Sequence, residues 1–284
     1  MIEKYYDGAI EQVAAGLGTV EKNYLLVRYS GQFSVENLND TKQLEKNEDI
    51  FVQVHEFETG EITCAYEPYL TMICDGFRRY MTGTFEEFME TCDVYYLHRP
   101  VLLGYFNQDN TGREEIILLD EVAYEQERML AALERMLCAI ADRHPVLFVL
   151  NRFQLASKST MQLTARFLKC ENCNIGLVLG VSDIQAMPEF LVPDWEMLYE
   201  TLDDGSKIYH IGNSGRKKEE TIDDEKYVDY GSEKVYRKLQ NMVEFLDFDQ
   251  AAYYLETIER KIKFDNLLVD DAARCLLYTS PSPR

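Results

Sequence analysis

The feature that most constrains this sequence is Val146-Leu-Phe-Val-Leu150, an unbroken apolar run set between two helical patterns. Ahead of it, Val122, Met129, Leu133, Met136, Leu137 and Ile140 recur at helical spacing over about 120–142, and His144-Pro145 breaks the pattern. Behind it, Asn151-Arg152 gives way to a second helix over about 157–169. A short strand that is apolar at every position has both faces covered. That is the mark of a central strand in a parallel sheet. Met129 and Met136 read as core packing, the usual use of a flexible thioether on an apolar helix face.

The rest of the chain fits around that strand. Residues 1–18 predict an opening helix through Tyr5, Ile10, Val13 and Leu17, and Tyr24–Arg28 a first strand. Ile50–Val54 predicts a second strand, with a charged, solvated stretch before it (42–49) and a Thr59-Gly60 turn beyond it. Glu67-Pro68 opens a helix to about Met81, and Thr84-Phe-Glu-Glu87 is a capping box for another helix to about Tyr96. Residues 107–115 are a polar loop, Ile175–Val181 is a further buried strand, and 182–205, with Trp195, reads as irregular. Lys207–Ile211 is a last short strand. Strands alternating with helices predict an α/β fold, a parallel sheet covered by helices.

Beyond the polar linker 213–224 the pattern is helical only. Val235, Leu239, Met242, Val243 and Leu246 form one apolar stripe; Phe248, Ala251, Ala252, Leu255, Ile258 and Ile262 form the next. Over 225–274 this predicts the start of a helical-repeat segment of tetratricopeptide type. Residues 275–284 (Cys-Leu-Leu-Tyr-Thr-Ser-Pro-Ser-Pro-Arg) break the pattern and read as translated sequencing-adapter sequence, which makes 1–274 the N-terminal part of a longer protein. The domain expectation is therefore 1–212, linker 213–224, 225–274 and 275–284.

Composition narrows the partners. A net charge of −21 repels phosphate backbones and anionic lipid, so neither nucleic acid nor a membrane surface is an expected partner. No apolar run reaches the length of a membrane-spanning helix, and the N-terminus lacks the layout of a signal peptide. The seven scattered cysteines read as free thiols of a cytoplasmic protein. Cys170 and Cys173 form one C-x-x-C, read either as unpaired thiols or as a redox pair. No second ligand pair is spaced to complete a zinc site.

A phosphate-cradling loop after the first strand would need small residues, whose N–H groups wrap the phosphates, and a lysine. The chain supplies Tyr29-Ser30-Gly31-Gln32-Phe33-Ser34-Val35-Glu36. Gly31 is its single glycine, Val35-Glu36 stands where Lys-Ser/Thr belongs, and Glu36 would repel a phosphate. Ser34 reads instead as a helix cap for Val35 onward. At the end of the 146–150 strand a nucleotide-hydrolysing site would place two acids, one for Mg²⁺ and one for the attacking water. Asn151 and Arg152 stand there; an amide is a poor cation ligand and a guanidinium accepts no proton. Asp120-Glu121 reads as the acidic first turn of a helix, not as a displaced pair. His98 reads as a structural histidine, and the four histidines (55, 98, 144 and 210) are unclustered in sequence. No catalytic, cofactor-binding or metal-ligating residue is expected.

Pro145–Leu168 resembles the second acidic-strand region of the signal-transduction ATPases with numerous domains, a class of AAA-related P-loop proteins. Gln154, Ala156, Ser159 and Leu163 stand at matching places, while Asn151, Arg152 and Leu155 depart from the family's Asp, Asp and Trp. Tyr66-Glu-Pro-Tyr-Leu70 is similar to the family's entry into a helix, and Gly176–Asp183 resembles its next strand, which often ends in Arg. Over about 1–212 the resemblance implies a P-loop NTPase-like fold. It also implies placement in bacteria ahead of tetratricopeptide repeats and an output domain: a GGDEF diguanylate cyclase, a LuxR-type DNA-binding domain or a kinase. The expected function is a non-catalytic regulatory or interaction module that works through protein partners or a C-terminal domain. The alternative is a nucleotide-binding switch of a LuxR-type regulator. No G-x-S-x-G or H-E-x-x-H motif supports another enzyme class.

Overall fold

A computed structural model describes residues 2–17, 24–29, 33–35, 49–58, 61–109, 121–170, 174–182, 187–203, 207–211 and 233–265. The chain is α/β. Its strands are β1 (Tyr24–Tyr29), β2 (Phe51–Glu56), β3 (Val146–Asn151), β4 (Ile175–Ser182) and β5 (Lys207–Ile211). They form one sheet in the order β2-β3-β4-β1-β5, and every neighbouring pair is parallel. Each return therefore needs a crossover connection.

Side-chain alternation along each strand sorts the sheet into two faces. Val146, Phe148 and Leu150 of β3, with Leu177 and Leu179 of β4, join one core. It is covered by α2 (Tyr69–Tyr80), α5 (Val122–Ala141), α6 (Lys158–Lys169) and α7 (Val192–Asp203). Leu147, Val149 and Val178 face the other way, beneath Tyr6, Ala9, Ile10 and Val13 of α1 (Ile2–Gly16). Gly176 lets α1 come close, since a Cβ there would lie 2.7 Å from a Val13 methyl.

The structure departs from expectation in two places. Thr84 makes the capping box, but the helix it starts, α3 (Phe85–Thr91), ends early, and Asp93 turns the chain at φ +51°. His98-Arg99-Pro100 then begins α4 (Arg99–Asn107), rather than ending a helix. Proline is tolerated in a first helical turn, so Pro100 marks a start as well as it marks a stop. The stretch 182–205 is also more regular than expected: a 3-10 turn at Glu189–Leu191 leads into α7, which carries Trp195. A helix crowded with Pro193, Asp194 and aromatic residues has little visible period, and packing supplies the order.

After the sheet, α8 (Glu233–Glu244) and α9 (Phe248–Asp265) form a helical hairpin. The linker 213–224, the segment 275–284, Cys173, Asp120, the charged stretch up to residue 48 and the Thr59-Gly60 turn lie outside the described residues.

Candidate functional site

Period-two alternation brings one end of the sheet together on the α1 side. Tyr29 ends β1, Glu56 ends β2, Asn151 ends β3, and Gly180 lies near the end of β4. Glu56 and Asn151 are direct neighbours in the β2–β3 register. This is the C-terminal edge of a parallel sheet, the edge at which open α/β folds hold ligands.

Here the chain fills that edge with its own side chains. The Asn151 carboxamide oxygen accepts the Tyr29 hydroxyl at 2.7 Å and faces the Tyr6 hydroxyl at 3.5 Å. Its amide nitrogen donates to the Phe33 carbonyl at 3.1 Å. The Phe33 ring closes over both phenols, with centroids 5.3 Å from Tyr6 and 5.8 Å from Tyr29. Gly180 is the floor: a Cβ there would stand 2.0 Å from the Tyr6 hydroxyl and 2.6 Å from the Asn151 oxygen. Asn151 is fully buried, so leaving either end of its amide without a partner costs about 1–3 kcal/mol.

The amide suits this place better than the acid expected there. A carboxylate could accept from both phenols but could not donate to the Phe33 carbonyl, and would meet it lone pair to lone pair. Burial pushes the Tyr29 hydroxyl up to about 12, against the pull of the Arg152 guanidinium and the Asn151 hydrogen bond. Tyr6 is raised well above an ordinary phenol, by burial first and then by its neighbour Tyr29. Both therefore remain protonated donors at neutral pH.

Arg152 is likewise engaged. Its backbone is left-handed, at φ +54°, which turns the chain out of β3, and its guanidinium lies 3.1 Å from a Glu56 oxygen. The other Glu56 oxygen accepts the Ser34 hydroxyl at 2.7 Å and the Val35 N–H at 3.1 Å. Ser34, expected as a helix cap, thus donates its hydroxyl across to β2. Of the residues singled out in sequence, the structure brings Ser34, Val35, Asn151 and Arg152 into one cluster; Ser30, Gly31 and Glu36 lie outside the described residues. Sequence reasoning missed Tyr6, Tyr29, Phe33 and Gly180 as the filling and Glu56 as its hinge. Tyr29 and Phe33 stood in the loop already under suspicion, and Gly180 interrupts an apolar strand.

Gln154 joins the next turn to the same edge. Its side-chain nitrogen donates to the Ser182 carbonyl at 3.2 Å, and its oxygen accepts the Ser182 N–H at 3.3 Å, so one amide extends the pairing of β4. Ser157 caps α6 by accepting the Thr160 N–H.

Other groups with chemical potential lie elsewhere. His98 is buried, with its Nε2 3.1 Å from a buried Glu125 oxygen, so it has a carboxylate partner that sequence did not suggest. His144 stacks on Tyr80 and His55 packs edge-on against Phe57. Burial pushes the Cys64 thiol up to about 12, which makes it a poor nucleophile at neutral pH. A cavity of about 570 Å³ lies between α2, α4 and α8 rather than at the strand ends. Asp75, Glu244, Arg78 and Arg237 mix both signs of charge on its lining. Among the described residues no group of three or more His, Cys, Asp and Glu could hold a metal ion, and no helix is long and apolar enough to cross a membrane.

Comparison with protein-family models, with curated proteins and with solved structures finds no match to this chain.

Proposed function

We propose that this chain is a non-catalytic regulatory or interaction module built on a degenerate P-loop ATPase-like domain, part of a larger bacterial signalling protein. The observation that carries the reading is Asn151. It stands where an acid would organise Mg²⁺, and it spends both ends of its amide on Tyr29 and Phe33. Arg152, at the second acid position, is paired with Glu56. The rings packed around Asn151 are phenol and phenyl groups, which offer a phosphate no positive charge, and this supports the reading. A module of this kind works through protein partners or through a C-terminal domain of its own chain; a diguanylate cyclase of GGDEF type is the output the family resemblance favours. The acidic charge argues against nucleic acid as the partner.

Calorimetric titration of the whole chain with MgATP and MgADP tests the reading. The expected outcome is no heat and no thermal shift at millimolar nucleotide. Micromolar binding would overturn it, and would return the alternative of a nucleotide-gated switch ahead of a LuxR-type domain.

A further inference from the structure

The start of α6 is unusual in how its free N–H groups are met. An α-helix leaves its first N–H groups without internal partners. Here Thr160 N–H goes to Ser157, three residues away, but the two before it reach the distant helical hairpin. Ser159 N–H donates to Asp247 Oδ2 at 3.1 Å, and Lys158 N–H donates to the Gln250 side-chain oxygen at 3.3 Å. Asp247 is buried and lies in the turn between α8 and α9, where Leu246 is left-handed at φ +65°. Its carboxylate also accepts from the backbone N–H of Gln250, in the first turn of α9. Two helix N-termini, each with a partial positive charge, thus meet on one carboxylate. Burial pushes this carboxyl up, while the Ser159 hydroxyl and N–H and the Lys158 ammonium pull it back.

The same spot ties the hairpin to the sheet edge. The Ser159 hydroxyl accepts the Tyr66 N–H at 3.0 Å, and the Thr160 hydroxyl donates to the Glu67 carbonyl at 2.9 Å. Those residues end the segment that leaves β2 after Glu56, and Phe57 N–H bonds the Asn151 carbonyl at 3.0 Å. On the other flank, Lys238 of α8 reaches Glu61 and the Ile62 carbonyl, each at 2.7 Å, and Asn241 accepts the Ala65 N–H at 3.0 Å. Lys158 and Asp249 make an ion pair at the rim.

The contact with the α/β domain combines these polar bonds with ring contacts, while the hairpin also has an apolar interior of its own. Val235, Leu239, Met242, Ala251 and Ile258 pack together, and Ile62 is the one buried member of that cluster from outside the hairpin. In return Phe245 is buried in the core of the α/β domain, with ring centroids 6.1 Å from Tyr66 and 5.9 Å from Tyr105, and Tyr253 meets Phe190 at 4.8 Å. An interface of hydrogen bonds and a few ring contacts, between parts that each keep an apolar cluster of their own, favours relative motion over fusion into one unit.

We propose that the α8–α9 hairpin is a releasable strap, held on the N-terminus of α6 by Asp247 and Gln250, and that its docking and release is the change this module transmits. The proposal rests on the regulatory reading above. Native-state hydrogen exchange on the whole chain tests it, with Asp247→Ala, Asp247→Asn and Gln250→Ala beside the unmutated protein. Asp247→Ala is expected to lower protection of the 233–265 amides tenfold or more while β3, β4 and α5 stay unchanged. Asp247→Asn keeps an oxygen to accept the Ser159 N–H and is expected to stay docked; Gln250→Ala is expected to fall between. Equal loss of protection in β3 and β4 would overturn the proposal, because the hairpin would then be one cooperative unit with the sheet. So would an unchanged hairpin in Asp247→Ala, or an Asp247→Asn chain that behaves like Asp247→Ala. Nucleotide binding is scored separately: a chain that binds MgATP but releases its hairpin as described would refute the non-catalytic reading and leave the strap standing.

Discussion

Two buried polar junctions, one at Asn151 and one at Asp247, are built on different principles. At Asn151 the direct partners of the amide are neutral, two phenols and a carbonyl roofed by the Phe33 ring, and the Arg152 guanidinium touches the junction only through Tyr29. At Asp247 the centre is a carboxylate, held by two helix N-termini with an ammonium close by. The neutral junction is closed by residues of α1, β1 and β3 together with Phe33, all belonging to one side of the sheet. The charged junction is closed by a hairpin that carries its own apolar interior. Neutral hydrogen bonds inside a well-packed core favour permanence, because opening them strands several groups at once. A carboxylate that joins two helix N-termini, with Gln250 beside it, concentrates the polar hold on the hairpin at one spot.

The sharpest way to break this contrast is at Gly180. A Gly180→Val side chain would collide with the Tyr6 hydroxyl and the Asn151 oxygen, on a strand paired on both sides. The expected cost is about 3 kcal/mol, the upper end for overpacking a core, read as a lower midpoint in chemical denaturation. If Gly180→Val melts like the unmutated chain, the filling at Asn151 is loose and the contrast fails. Next in size is Asn151→Asp, which removes the donor to the Phe33 carbonyl and sets a buried carboxylate oxygen against it, for a loss of about 1–3 kcal/mol. Added Mg²⁺ should not restore stability; recovery with Mg²⁺ would mean that the edge still has room for a cation.

The smallest effect is with pH, and its sign follows from Tyr29. Its hydroxyl is raised from the ordinary phenol value of 10.0 to about 12 in the folded chain. A proton held more tightly when folded stabilises the fold fully below pH about 10, and that stabilisation is lost as pH rises towards the folded value. Absorbance titration of the phenols should show loss of the Tyr29–Asn151 junction in that alkaline range and none between neutral pH and about 9. Tyr29→Phe should flatten the alkaline limb. An equal limb in Tyr29→Phe would place the transition elsewhere, Tyr6 being the next phenol to examine.

Much of the scaffold was legible in the chain, and the reason is periodicity. The apolar runs at 146–150 and 175–181 could only be strands with both faces covered, and the structure places them side by side at the centre of the sheet. The Thr84 capping box was readable because it is local, using residues three apart. The α4 helix was missed because Pro100 is compatible with either end of a helix, and α7 because packing, not pattern, orders it.

By itself the sequence determined that an amide and a guanidinium follow the 146–150 strand and that the loop after the first strand carries Glu36 and no lysine. It also predicted strands alternating with helices until about residue 211, and among the described residues beyond that point only helices occur. Only the tertiary structure decided what Asn151 and Arg152 do. Asn151 meets Tyr6, 145 positions away in sequence, and Ser159 meets Asp247 across 88. Contacts at such separations leave no periodic trace in a single chain, because they depend on how strands and helices pack rather than on how each one forms. The same holds for His98, solitary in sequence and paired in space with Glu125. Composition and spacing reveal which groups are available; the partners that fix their chemistry come from the folded sheet and the hairpin laid against it.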